Sequence, residues 1–175
     1  MGKKGGPKNQ TRIIVCDAGP IIHLHEAGIL SLLKNVGEIF LPHSVSMEVL
    51  VATDLADNWP EWLRVVQLAS SELKEAEMWA KLGDLHGREA EAFILARTQK
   101  ADWLLTDDSA ARLFASLLGV EVHGSLGIVL WSVAQEHLSR RQAEQALNNL
   151  ERSSLWLSAK IFDEARKALI DMTSS

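Results

Sequence analysis

Short apolar runs alternate with longer helical stretches along this chain, and that alternation restricts the fold more than any other feature. The runs are Arg12 to Cys16, Glu38 to Leu41, Arg64 to Leu68, Trp103 to Thr106 and Val120 to His123. Each is too short for a helix, and the first is rich in β-branched residues, so buried strands are expected. Gly19-Pro20 stops the first run and Pro42 the second. Between them, Ile22, Ala27, Ile29, Leu30 and Leu33 fall at helical spacing within Ile21 to Leu33. A second helix carries Val45, Val49 and Ala52 on one face, and a third opens at Ser71-Glu72 and runs to about Lys81. Arg88 to Gln99 is apolar nearly all round and is expected to be buried. Asp107 to Leu118 reads as a helix stopped by Gly119, and Gly124 begins another. From about Arg140 two more helices follow, with Ser158 as the N-cap of the last.

Apolar strands alternating with helices imply a parallel sheet covered on both faces. The expectation is an α/β chain: a three-layer α/β/α sandwich around a central parallel sheet of about five strands, plus C-terminal helices. Residues 1–11 are basic and Gly-rich and read as a flexible tail, whose Lys3, Lys4 and Lys8, with Arg12 next to it, could touch a polyanion. Residues 12–175 read as a single domain, since 175 residues suit one core. There is no transmembrane run, no signal-type apolar segment and no phosphate-loop glycine pattern. The lone Cys16 cannot form an internal disulfide, which points to the cytoplasm, and it reads as a small buried hydrophobe.

The formal net charge of −5 argues against a surface that binds nucleic acid wholly by charge. It is compatible with an enzyme that collects carboxylates for a metal ion. In open parallel sheets, ligands bind beyond the carboxyl ends of the strands. Asp17 follows the first strand, and Asp107 and Asp108 follow the fourth. Glu48 is in helical phase with Val45, Val49 and Ala52, and Glu89 with Ala92, Phe93 and Ala96. A carboxylate beside a buried stripe is costly unless paired or metal-bound. The plainer readings are a cap or turn residue for Asp17, a helix cap for Asp107, a charge that favours that helix's positive end for Asp108, and a salt bridge for Glu48. Taken together, the acids can converge on one sheet edge. Such a cluster raises its own pKa values and becomes tolerable around a hard cation, Mg²⁺, Mn²⁺ or Ca²⁺ rather than zinc, with one or two ions of Mg²⁺ or Mn²⁺ expected. The chemistry this suggests is phosphodiester hydrolysis.

At this point the motifs resemble those of the PIN-domain family. Asp17-Ala18-Gly19-Pro20-Ile21-Ile22 is similar to the opening of these domains. Leu41-Pro42, Val45 and Glu48-Val49-Leu50 follow in order, then Glu89-Ala90-Glu91-Ala92 with Leu95-Ala96. Leu104-Leu105-Thr106-Asp107-Asp108 with Ala111-Arg112, and Gly124-Ser125-Leu126-Gly127, complete the series. The resemblance spans roughly Ile13 to Leu157. It implies a metal-dependent ribonuclease acting on RNA, a VapC-like toxin partnered by a small antitoxin protein, and a homodimer. It implies an acidic metal site of Asp17, Glu48, Glu89 and Asp107 or Asp108, with Thr106 orienting a ligand or water. Gly19 stands where many relatives carry Ser or Thr. Arg88 stands where the subfamily has Gly, which leaves Glu91 as an alternative to Glu89.

Other residues carry weaker signals. His23 and His25 are two apart and point to different sides of a helix, poor geometry for zinc. Trp59 and Trp62 could stack on bases, although core packing is the simpler reading. Arg88, Arg97, Lys100 and Arg112 lie near the acids in sequence, and one or two could touch phosphate. Two competing functions remain: a PIN-like binding or scaffold module that no longer cuts, and a metal-dependent phosphatase. Ala18-Gly19 after Asp17 counts against the latter, which usually needs a second Asp two places on.

Overall fold

The computed structural model describes residues 11–83 and 85–174. The basic stretch 1–10 lies outside the described residues. Five strands form one sheet in the order β3-β2-β1-β4-β5. They are β1 (Ile13–Cys16), β2 (Glu38–Pro42), β3 (Leu63–Val66), β4 (Trp103–Leu105) and β5 (Val122–His123), all parallel. The strand order reverses at β1: the chain first builds outward to β2 and β3, then crosses back to β4 and β5. Such a reversal opens a crevice beyond the carboxyl ends of β1 and β4.

Alternating side chains divide the interior in two. Ile14 and Cys16 join one apolar cluster and Val15 joins the other, as strand periodicity requires. The first cluster takes residues from α1 (Ala18–Glu26), α2 (His43–Ala52), α6 (Ser125–Ala134), α7 (Arg140–Glu151) and α8 (Ala159–Thr173). The second takes them from α3 (Ser70–Gly83), α4 (Gly87–Thr98) and α5 (Ser109–Leu117). This is the three-layer α/β/α arrangement expected from the sequence. α4 is buried from Ala92 to Ala96 without a break, which explains its all-round apolar pattern. Among the described residues no helix is long and apolar enough to cross a membrane.

Several local expectations are corrected. The first helix starts at Ala18 and ends at Glu26, instead of running from Ile21 to Leu33. Asp17 caps its start by accepting from Ala18 N–H, and Pro20 fits in the first turn, where backbone N–H groups have no helical partner. Gly28, at φ +74°, ends it, and Leu30–Asn35 then forms a separate 3-10 turn. Ala52 is exposed, and Ser46 takes its place on the buried face of α2. The segment before β3 is packed against the core. Leu55 is buried, Trp59 and Trp62 pack on the first cluster, and Trp59 Nε1 donates to Leu63 O at 3.0 Å.

The C-terminal helices do more than cover the outside. Ala143, Ala146, Leu147 and Leu150 of α7, with Phe162, Ala165 and Leu169 of α8, are buried in the first cluster. Leu147→Ala is therefore expected to cost about 2–5 kcal/mol and to lower the midpoint of a single thermal transition. An unchanged midpoint would mean that α7 does not share the core.

Candidate active site at the carboxyl edge of the sheet

The backbone itself brings the first two acidic segments together. Asp17 N–H donates to Leu105 O at 2.9 Å, one residue beyond the β1–β4 pairing. Asp17 thus leaves β1 beside the point where Thr106, Asp107 and Asp108 leave β4. Thr106 is buried and links the two turns. Its hydroxyl donates to Asp17 Oδ2 at 3.2 Å and accepts from Asp108 N–H at 3.2 Å.

Asp17, Glu48, Glu89, Asp107 and Asp108 all line one open cleft of about 900 Å³. They come from the β1 turn, α2, α4 and the β4 turn. Each acid also has a local partner. Asp17 Oδ1 accepts from Ala18 N–H at 2.8 Å. Asp108 caps α5 by accepting from Ala111 N–H at 2.8 Å. Glu89, in the first turn of α4, accepts from His86 N–H at 2.9 Å in a capping box. Glu48 pairs with Arg88 at 3.1 Å, both partly exposed.

Asp107 is the most firmly held. Its Oδ1 accepts from Ser125 N–H at 2.7 Å, its Oδ2 from the Ser125 hydroxyl at 2.6 Å, and His23 Nδ1 lies 2.7 Å from Oδ2. Gly124 makes this approach possible: a Cβ there would stand 2.7 Å from Asp107 Oδ1 and 2.9 Å from Arg112 Nη1. The Gly124-Ser125 motif therefore acts as a clamp on the carboxylate. Arg112 lies beside that glycine and does not line the cleft.

Electrostatics record the crowding. Asp17 is 8% exposed, and its carboxyl is pushed up to about 6. Burial is the largest cause, with Glu89 and Glu48 adding repulsion against the stabilising Ala18 N–H and Thr106 hydroxyl. Glu89 also moves up, through burial first and then through Asp108 and Glu48. The Cys16 thiol, wholly buried, is raised by burial and by the nearby Asp17 and Asp107, so it belongs to the core.

Glu91 stands apart. It accepts from the Ser44 hydroxyl and lines a separate groove with Leu73 and Lys81, so Glu89 is the α4 acid that reaches the cleft. Among the basic residues flagged in sequence, Arg88 lines the cleft while Arg97 pairs with Glu75. Three contributors escape sequence reasoning. His23 was weighed only as a zinc ligand, and His86 carried no motif. The α7–α8 connection, Ser154 to Ser158, forms a wall of the cleft although it lies far along the chain from Asp17.

As they stand, no three Asp, Glu, His or Cys side chains among the described residues are placed to share one ion. The local bonds explain this: Glu48 turns to Arg88, Glu89 to its own helix, and Asp107 to Ser125 and His23. The donor set, all carboxylate oxygen with one hydroxyl behind it, still has the chemistry of a hard-cation site. The Glu48–Arg88 pair is of a partly exposed kind that contributes only ~0–1 kcal/mol, so Glu48 is cheaply released.

A five-stranded parallel sheet with an acidic cleft at its switch point defines an α/β protein with a candidate hard-cation site. A family model described as a PIN domain matches residues 13–170, and the chain belongs to that family, whose members are generally nucleases. No curated protein matches the sequence.

The raised Asp17 pKa makes a prediction about stability. The folded chain holds its proton more tightly than the unfolded one, so the cost of the buried charge is absent below about pH 4 and complete above about pH 6. Without divalent ions, Asp17→Asn is expected to melt like wild type at the acid end and to be more stable above that window, by on the order of 3 kcal/mol. Melting curves across pH test this, and a difference independent of pH would contradict it.

Proposed function

We propose that this PIN domain is a metal-dependent endoribonuclease that hydrolyses RNA phosphodiester bonds with Mg²⁺ or Mn²⁺. The observation that carries the reading is the convergence of Asp17, Glu48, Glu89, Asp107 and Asp108 on one cleft. Asp17, Glu89, Asp107 and Asp108 would hold one or two ions, with Glu48 beside them. A cation there supplies a water of lowered pKa and neutralises charge on the phosphate.

The chain's own residues prepare the cleft for that role. Thr106 orients Asp17 Oδ2, and Ser125 fixes both oxygens of Asp107. The elevated Asp17 pKa expresses a carboxylate that gains from a nearby positive charge. Arg88, half-exposed at the cleft, is released toward phosphate when Glu48 turns to a cation.

The proposal extends to a cytoplasmic, VapC-like toxin held in check by a small antitoxin and working as a homodimer. Leu113 and Leu117, one helical turn apart on α5, are 64% and 76% exposed. They offer apolar surface of the kind that protein partners cover. A second reading is a PIN-like module that binds nucleic acid without cutting it. The Glu48–Arg88 and Asp107–His23 contacts favour it, because they satisfy two acids without any cation.

Purified protein incubated with mixed single-stranded RNA and Mn²⁺ or Mg²⁺ separates the readings. Cutting is expected, abolished by EDTA and reduced at least ~100-fold by Asp17→Asn, a loss of about 2.7 kcal/mol in transition-state stabilisation. Mn²⁺ is also expected to raise the melting temperature of wild type more than that of the variant. Cleavage that survives Asp17→Asn would remove the proposed site. Absence of both cleavage and melting shift would favour the non-cutting module.

A further inference from the structure

Five of the six tryptophans have an internal partner that accounts for them. Trp59 donates to a backbone carbonyl, and Lys34 stands over Trp62. Trp79 packs edge-on to Phe93 and Phe114. Trp103 and Trp131 meet edge to face, with Arg12 over both. Trp156 is different: it is 92% exposed and lines the acidic cleft.

Its exposure is built, since the chain on either side of it is tied down. Leu155 is buried, and Leu157 packs on the first apolar cluster. Ser154 N–H donates to Glu26 Oε2 at 2.7 Å, and Leu155 N–H donates to the Ser153 hydroxyl at 3.2 Å. With both neighbours turned inward, the extended stretch directs the indole outward at the cleft rim. Ile161, at the start of α8, adds a second apolar group to the same wall at 40% exposure.

A cleft lined by five carboxylates attracts a polyanion poorly. Affinity for single-stranded nucleic acid there gains from a contact that does not depend on phosphate charge, beside whatever Arg88 and a bound cation would supply. An exposed indole on a tied-down backbone provides one, because every base has a face that stacks on an aromatic ring. We infer that Trp156 is a stacking platform for one nucleobase of a single-stranded RNA lying across the carboxylate cleft. The inference rests on the ribonuclease reading of that cleft. It moves the base-stacking role from Trp59 and Trp62, which the core occupies, to the α7–α8 connection.

The test is binding of a short, mixed-sequence, fluorescently labelled single-stranded RNA in Mn²⁺, with Asp17→Asn as the parent chain so that cutting does not interfere. Trp156→Ala is expected to weaken binding about 5- to 100-fold. Trp156→Phe is expected to restore most of it, and an abasic oligomer to bind the parent and Trp156→Ala alike. Tryptophan fluorescence of the parent is expected to be quenched by RNA, and that of Trp156→Phe much less. Thermal melting of each variant should be unchanged, as the side chain is exposed. Equal RNA binding with and without Trp156, an equal loss with the abasic oligomer, or no RNA binding by either chain would overturn the inference. So would a change in oligomeric state on Trp156→Ala without a change in RNA binding, which would assign the indole to a protein contact. RNA bound through Trp156 but never cut by wild type leaves the platform standing and removes the nuclease reading. RNA cut and bound equally well by wild type and Trp156→Ala does the reverse.

Discussion

The hydrogen bond from Asp17 N–H to Leu105 O holds the two acidic turns side by side, and the rest of the cleft is arranged around it. It exists because β1 is the central strand, with β2 on one side and β4 on the other. Two chain segments about ninety residues apart thereby leave the sheet as neighbours. Thr106 converts that proximity into side-chain geometry by bonding Asp17 with its hydroxyl proton and Asp108 with its lone pair. α2 and α4 then bring Glu48 and Glu89 toward the same edge. Removing the β1–β4 adjacency would leave five ordinary surface acids.

Much of this was legible in the sequence, for identifiable reasons. β1 and β4 are short and fully apolar, so their ends, and the acids that follow, are marked sharply. The continuous apolar pattern of α4 gave its burial directly. The extent of α1 was harder to read, because the apolar residues of Leu30–Asn35 continue a helical spacing across Gly28, where the backbone turns left-handed. Ala52 looked like part of a buried stripe but is the last residue of α2 and is exposed. The role of His23 was hidden by its nearness to His25. The pair invites only the question of zinc, which its spacing answers in the negative, whereas the two side chains reach different carboxylates, Asp107 and Asp54. Trp156 was hidden for a topological reason: nothing local says that the α7–α8 connection returns to the carboxyl edge of the sheet.

Gathering acids at a sheet edge sets stability against chemistry, and the hydrogen bonds show how the chain manages the conflict. An unpaired buried carboxylate costs several kcal/mol, whereas one that accepts hydrogen bonds costs far less. Asp107, with Ser125 on both oxygens and His23 beside it, is compensated without help from any ion. Asp17 is compensated incompletely, and its raised pKa is the residue of that deficit. Glu48 is half-exposed and needs little compensation. The five acids therefore include one that is fixed, two that carry the repulsion, Asp17 and Glu89, and one held aside by an exposed ion pair.

That gradation bears on how a cation would be accommodated. A site in which every carboxylate was aimed inward would hold so much repulsion that folding without metal would be compromised. Here the repulsion is concentrated on Asp17 and Glu89, while Arg88 draws Glu48 aside. Assembly of a cation site would then turn Glu89 from its own helix and release Glu48 from a partly exposed ion pair, with the Asp107–Ser125 bonds kept. Release of Glu48 would also free the Arg88 guanidinium at the cleft. On the proposed metal-dependent reading, Asp107 clamped by Ser125 would serve stability even without an ion, while Asp17 and Glu89, which carry the repulsion, would gain most from one.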